Sequence, residues 1–393
     1  MKFSEMEIDS RIKKALHEMD ISIPTEIQEK ALPAVLEGKD VVAKSMTGSG
    51  KTLVFSVPII QKIEKGAGIQ ALILCPTREL ALQTADFVKK FSSHTHISIC
   101  EVYGGVSLEE QVRKLTKTDV VVGTPGRILD HMRRRTIDFR NLKILVLDEA
   151  DRMLDMGFID DIRLIIRNIP SNRQTMLFSA TIPEKIFYLV RHYMKNPVKI
   201  SAQDIVAKHK LAQYYYNVKQ EEKLALLVHL IKKEKPKLAL VFCSTRHMSD
   251  LAGDVLAANG IDAKTLHGGL TQNRRTNLLE GFHRGRPHVL VATDVAARGL
   301  DIKDVSHVFN FDVPSNPDDY RHRIGRTARI GREGKAITLL CQKDHLSFRK
   351  VVSYNDIECL KENQYTKSIS MPQRRFHERP MRKRRMPMRF SRY

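Results

Sequence analysis

The stretch Ser45-Met46-Thr47-Gly48-Ser49-Gly50-Lys51-Thr52 decides the fold. It follows a short apolar run, Asp40–Ser45, and leads into Leu53-Val54-Phe55, the start of a helical segment. Strand, glycine-rich loop and helix in that order make a phosphate cradle. Gly48 and Gly50 let the backbone curl so that successive N–H groups face a phosphate chain, and the helix N-terminus adds partial positive charge. Lys51 is placed to reach the β- and γ-phosphates, and the Thr52 hydroxyl to hold Mg²⁺. Ser45 stands at the first position of the pattern, where glycine is general, and is small enough to fit. A glycine-rich turn alone would carry none of this; the flanking elements and the Lys-Thr pair carry it.

Further along, Ile144-Leu145-Val146-Leu147 runs straight into Asp148-Glu149-Ala150-Asp151. A carboxylate at the end of a buried strand beside a phosphate loop is where a Mg²⁺-holding acid belongs, and Asp148 takes that role. Glu149 is the candidate to orient and deprotonate an attacking water. Acidic clusters after strands are commonly solvated turns; the phosphate loop upstream makes this one functional.

The rest of the chain repeats the strand–helix rhythm. An amphipathic helix carries Ile8, Ile12, Leu16 and Met19 at helical spacing. Apolar runs at Asp40–Ser45, Ala71–Pro76, Ile97–Tyr103, Asp119–Gly123, Ile144–Leu147 and Thr175–Phe178 then read as buried parallel strands. A second set follows at Leu238–Cys243, Ala263–His267, His288–Ala292, His307–Phe311 and Ala336–Cys341. The pattern predicts an α/β chain with two tandem doubly wound parallel sheets. Domains are expected at 1–200 and 211–362, joined by a polar linker at 201–210. A basic, disordered tail is expected at 363–393, because nothing there can build a core. Its last stretch, 371–393, holds nine Lys and Arg against the single acid Glu378, and so +8 of the formal +21.

At 393 residues the chain exceeds one ordinary core, and its 42% hydrophobic and 28% charged residues are a soluble balance. The +21 charge concentrates polyanions, with nucleic acid ahead of an anionic membrane surface. Cys75, Cys100, Cys243, Cys341 and Cys359 form no CxxC pair, which argues against disulfides and zinc and for a reducing compartment. No apolar run approaches the ~18 residues of a membrane span, and the N-terminus has no apolar leader core. A soluble cytoplasmic protein without a membrane partner is expected, with a nuclear or nucleolar location left open by the basic run Arg382-Lys383-Arg384-Arg385.

In one order and spacing the chain also carries Pro24-Thr25-Glu26-Ile27-Gln28, Pro76-Thr77-Arg78-Glu79-Leu80, Gly104-Gly105, Thr124-Pro125-Gly126-Arg127 and Ser179-Ala180-Thr181. Its second half adds Val241-Phe242-Cys243-Ser244-Thr245, Gln272 to Arg275, Ala292-Thr293-Asp294 to Asp301, and His322 to Arg329. With the phosphate loop and the tetrad, this series resembles the DEAD-box ATP-dependent RNA helicases over about residues 3–341. The resemblance implies two RecA-like domains, ATP and Mg²⁺ as cofactors, and RNA held by its backbone across both domains. It implies that Gln28 bonds the adenine edge with Phe3 stacked near it, that Asp301 touches the ribose, and that Arg326 and Arg329 are arginine fingers. Pro76, Thr77, Arg78, Gly104, Gly105 and Thr124 to Arg127 would form one half of the RNA groove. Gly268, Gln272, Arg275 and Thr293 would form the other. Asp151, Ser179, Thr181 and His322 would couple the domains. Two positions depart from the family: Asp20 and Ala328 stand where glycine is usual, and Asp tolerates positive φ better than most residues.

The reaction so implied is RNA-stimulated ATP hydrolysis with local, non-processive opening of short duplexes, by a monomer whose regulatory protein partner is unspecified. A DNA-directed translocase and an RNA clamp that opens nothing remain as alternatives. Aromatic residues at 6% and the absence of Trp speak against base-stacking readout.

Overall fold

The computed structural model describes residues 2–44, 49–201, 211–297, 302, 305–314, 316–328, 333–352, 357–362 and 365–371, with the backbone alone at 272, 273, 318 and 352. Seven strands build the first sheet: β1 Val41–Lys44, β2 Ala71–Leu74, β3 Ile99–Val102, β4 Val120–Gly123, β5 Ile144–Leu147, β6 Gln174–Ser179 and β7 Val198–Ser201. Seven more build the second: β8 Leu211–Asn217, β9 Ala239–Cys243, β10 Ala263–Leu266, β11 Val289–Thr293, β12 His307–Asn310, β13 Gly334–Leu340 and β14 Glu358–Leu360.

The sheet orders are β3-β4-β2-β5-β6-β1-β7 and β10-β11-β9-β12-β13-β8-β14, with neighbouring strands parallel throughout. The second order repeats the first strand for strand, so the two halves share one topology although their loop motifs differ. Helices cover both faces, which is why the central strands read as continuous apolar runs. Alternate residues of one strand enter opposite layers: Leu72, Leu74, Leu145 and Leu147 face one way, and Ala71, Ile73, Ile144 and Val146 the other. The expected fold class is the one observed, two tandem RecA-like α/β units.

The expected strands are all present, and β7, β8 and β14 are additional. These three lie at or near a sheet edge, where half-exposed side chains break the apolar run that marks a central strand. Asp20 takes φ 54°, so the turn survives without glycine. Residues 365–371, placed with the tail by composition, are docked on the second unit. Tyr365 Oη donates to Glu222 Oε2 at 2.8 Å, Lys367 Nζ to Glu222 Oε1 at 2.8 Å, and Ser370 exchanges two bonds with Asn259. Of the remaining tail and linker expectations, residues 202–210, 363–364 and 372–393 lie outside the described residues.

Candidate active site and nucleic-acid interface

Parallel strands send their carboxyl ends to one edge of a sheet, and loops leaving that edge bind ligands. In the first sheet the phosphate loop follows β1, the Asp148 tetrad follows β5, and Ser179 ends β6. Those strands are neighbours, β5-β6-β1, so three motifs far apart in sequence meet at one end of the edge. The other end, β3-β4-β2, carries Gly104-Gly105, Thr124 to Arg127 and Pro76 to Arg78. One edge thus presents, side by side, the half expected from its motifs to hold nucleotide and the half expected to bind a backbone.

In the nucleotide half, Lys51 Nζ lies 3.2 Å from Asp148 Oδ1, and both side chains are buried. Burial by itself would push the Lys51 ammonium down; Asp148, Glu149 and Asp151 outweigh it and hold its pKa above the ordinary value. Asp148 is raised, by burial first, with Lys51 pulling the other way and Glu149 adding to the rise. Beyond the Lys51 ammonium, Asp148 Oδ1 has no hydrogen-bond partner, and buried Ser49 Oγ has none. Gln28 closes the loop from the side: its Oε1 accepts from Thr25 N–H at 2.8 Å and its Nε2 donates to Gly50 O at 2.9 Å. Thr25 Oγ1 donates to Ser49 O at 2.7 Å. Gly50 has φ 92° and abuts the Gln28 amide so closely that a Cβ would strike it. Thr52 stands in the first turn of the helix Lys51–Lys62. Ser45, Met46, Thr47 and Gly48 lie outside the described residues, as do Asp301 and Arg329.

Glu149 has φ 52° and ψ 53°, a left-handed conformation uncommon for a non-glycine residue. Its Oε2 accepts from Arg152 Nη1 at 2.6 Å, and both side chains are buried. Asp151 ties the tetrad to the end of β6. Its Oδ2 accepts from Ala180 N–H at 3.0 Å, Thr181 N–H at 2.8 Å and Thr181 Oγ1 at 3.2 Å, while its N–H donates to Ser179 Oγ at 3.0 Å. These bonds join Asp151, Ser179 and Thr181 within the first unit.

The second unit reaches this site through the helix Pro317–Ile324 and the turn after it. Arg152 from the first unit and Phe242, Asp294, His322, Arg323 and Arg326 from the second line a cavity between the two. The His322 pKa is lowered, by burial first and then by the cation of Arg152, with Asp151 and Glu149 opposing and Arg326 adding to the fall. A lowered value means this arrangement favours the neutral imidazole. The cost of holding His322 in the contact is absent well above the ordinary pKa of 6.5 and sets in as the pH falls through it. RNA-stimulated turnover is therefore expected to drop on acidification below that value, and His322→Asn to flatten that limb; an unchanged limb would remove His322 from the contact.

Arg323, not singled out in the sequence, is the keystone of that helix. It makes a bidentate pair with Asp294 at 2.6 Å and 2.6 Å, donates to Asn310 Oδ1 at 3.2 Å and to Asp312 O at 2.5 Å, and lies over the Phe242 ring. Ala328, where glycine is usual, keeps a left-handed φ of 53°, a conformation costing alanine about 1 kcal/mol.

In the backbone-binding half, the Arg78 guanidinium lies against Gly104 and Gly105. Gly105 has φ 87° and leaves no room for a Cβ beside Arg78. Arg127 donates to Gln111 Oε1 at 3.3 Å and to Val106 O at 3.3 Å. Gly126 is exposed. Pro76, Thr77, Thr124 and Pro125 are buried, and Thr77 Oγ1 caps its own helix by accepting from Leu80 N–H at 3.3 Å. These four shape the loops and leave the surface to the arginines and glycines. From the second unit come exposed Gly268, which packs against Arg246, and buried Thr293. Gln272 opens the helix Gln272–His283; its side chain lies outside what is described. Arg275 does not point freely into the groove: its Nε lies 3.2 Å from Glu79 Oε1 of the first unit, and its Nη2 donates to Ala296 O at 2.7 Å. Phe3 is a core residue, 3% exposed among Ile8, Ile12, Leu16, Leu53 and Phe91, which removes its ring from an open adenine-stacking surface. Sequence reading missed Arg246, Arg152 and the Glu79 partner. The first two are single basic residues beside motifs, and the third is a contact between distant segments that no spacing announces.

The profile described as DEAD/DEAH box helicase matches residues 25–188, and that of the helicase conserved C-terminal domain matches 222–331. A curated relative, the ATP-dependent RNA helicase CshA of Listeria monocytogenes, is 45% identical over 355 residues, covering 89% of this chain and 68% of that protein. Among solved structures, S. cerevisiae Dbp5 bound to RNA and ADP–BeF3 is similar with a TM-score of 0.82 at 32% identity, over 91% of this chain and 95% of that one. A variant of the same yeast protein bound to Nup159, Gle1, IP6 and ADP is similar with a TM-score of 0.66 at 30% identity, over 91% of this chain and 96% of that one.

Proposed function

The chain belongs to the DEAD/DEAH-box helicases, and on that premise we propose how its residues divide the work of an ATP-dependent RNA helicase. The protein is an RNA-stimulated ATPase that closes on RNA, hydrolyses ATP to ADP and phosphate, and separates short duplexes locally. One observation carries the proposed division: ATP and RNA motifs share one carboxyl edge of the first sheet, and the second unit meets both ends of it. His322 and Arg326 reach the nucleotide end and Arg275 the RNA end. A ligand bound at either end then favours closure, and through closure the other ligand's binding. The higher similarity to the RNA- and ADP–BeF3-bound relative supports reading this arrangement as the closed one.

Lys51 and the loop N–H groups bind the phosphates, and Gln28 has spare bonding capacity toward the adenine edge. Glu149 takes a proton from the attacking water, and Arg326 meets the γ-phosphate from the second unit. Arg329 and Asp301 keep the finger and ribose roles implied by the resemblance. Mg²⁺ fits the donor set: a buried Asp148 carboxylate whose Oδ1 has no partner beyond the Lys51 ammonium, beside the helix that carries Thr52. Bound there, it would neutralise phosphate charge. Arg78, Arg127, Arg246 and the bare backbone at Gly104, Gly105, Gly126 and Gly268 follow the sugar–phosphate backbone without reading bases. Five free cysteines, four of them buried, fit a reducing cytoplasm. Among the described residues no helix is long and apolar enough to cross a membrane. We assign the working unit as a monomer, and the yeast relative's complexes motivate a protein regulator here.

Opening one stacked step costs about 1.4 kcal/mol, taking DNA as a stand-in. One closure therefore opens a few steps and no more. Strand separation is expected to slow steeply between duplexes of about one and two helical turns. Equal rates on both would contradict a local, non-processive opening.

A further inference from the structure

Lys223 opens the helix Lys223–Glu234 in the second unit, has 0% exposure and belongs to none of the motifs used above. A lysine so buried needs neutralisation, and two carboxylates supply it: Asp344 Oδ2 at 3.0 Å and Asp312 Oδ1 at 3.6 Å, with the Phe311 ring beneath. Asp312 follows β12, between the ends of β9 and β13. Each polar group of Asp312 is in use. Its Oδ2 accepts from both N–H and Oγ of Ser244 at 2.9 Å, its N–H donates to Phe242 O at 3.2 Å, and its O accepts from Arg323 Nη1 at 2.5 Å.

Ser244 begins the loop that carries Arg246 to Gly268 at the RNA side. Arg323 anchors the helix that carries His322, and the turn after it that carries Arg326, to the nucleotide side. We propose that Lys223 and Asp312 form one positioning unit that sets the RNA-side loop Ser244 to Arg246 and the arginine-finger helix in a common geometry. Neither residue touches a ligand. Rotation of the Asp312 carboxylate, which Lys223 restrains, would release Ser244 directly and would reach Arg323 through the Asp312 backbone, whose carbonyl Arg323 holds. The inference rests on the finger role assigned to Arg326.

The alternative is an ion pair that only holds the core, and melting alone would not separate the two. The test therefore uses Lys223→Met/Asp344→Asn, which removes one charge of each sign, and Asp312→Asn, which keeps the side chain's size. For each full-length variant, RNA affinity is measured with and without a non-hydrolysable ATP analogue, alongside RNA-stimulated kcat, the KM for ATP and the melting temperature. The expected result is a fall of about tenfold or more in both the ATP-dependent gain in RNA affinity and kcat. The ATP KM and RNA affinity without nucleotide should stay near wild type. Folded variants with unchanged coupling and kcat would reduce Lys223 to a core ion pair. If the double variant fails to fold, Asp312→Asn decides the matter by the same criteria. Arg326→Ala run in parallel separates the two claims: retained hydrolysis there would overturn the finger role, whereas loss there with wild-type Asp312→Asn would overturn only the positioning unit.

Discussion

Replacing Arg326 with alanine will leave ATP bound and all but stop its RNA-stimulated hydrolysis. An arginine finger contributes about 10³–10⁵ in rate, or ~4–7 kcal/mol, because it meets charge that develops in the transition state inside a water-poor site. Arg326 is 3% exposed and lines the interdomain cavity across from Arg152 of the acidic-tetrad helix. The groups proposed to bind the phosphates in the ground state, Lys51, Asp148 and the Gln28-braced loop, belong to the first unit and are untouched by the change. ATP affinity should therefore stay within a few-fold of wild type while single-turnover hydrolysis at saturating RNA collapses. Unchanged turnover would show that Arg326 does not reach the reacting phosphate.

Glu149→Gln is expected to separate closure from chemistry. A general base contributes about 10²–10⁴ in rate. Glutamine keeps the length and one acceptor oxygen of Glu149, so the bond from Arg152 Nη1 can persist while the proton acceptor is lost. Closure is driven by binding and release follows hydrolysis, so the variant should accumulate with ATP and RNA both held. RNA retention in ATP, measured by dissociation after a competitor chase, should lengthen strongly against wild type. Wild-type release, or wild-type hydrolysis, would take the base role away from Glu149.

Much of this site is legible along the chain because it is built from strand ends. A short apolar run marks a buried strand, and the residues just beyond it face the ligand edge, so Lys51, Asp148, Glu149 and Ser179 can be placed by reading forward from each run. The pairing of β5, β6 and β1 that brings them together is not written in any one segment, nor is the repeated strand order of the second sheet. Edge strands such as β14 hide because they have too little apolar sequence. Residues within a recognised motif also differ in ways the motif conceals. In His322-Arg323-Ile324-Gly325-Arg326, one arginine is consumed by Asp294 and Asp312 and another faces the first unit. Arg275 looks like an RNA contact by position and is held by Glu79. Phe3 looks like a stacking ring and is core. In each case the deciding partner lies outside the motif, and only packing shows it.

The central claim is that RNA at one end of the shared edge and ATP at the other close the same pair of domains. Steady-state ATP hydrolysis measured without nucleic acid, with single-stranded RNA, and with DNA of the same sequence tests it most directly. Slow hydrolysis alone and strong stimulation by RNA but not DNA is the predicted result. Hydrolysis that is fast without nucleic acid, or equally stimulated by DNA, would contradict it.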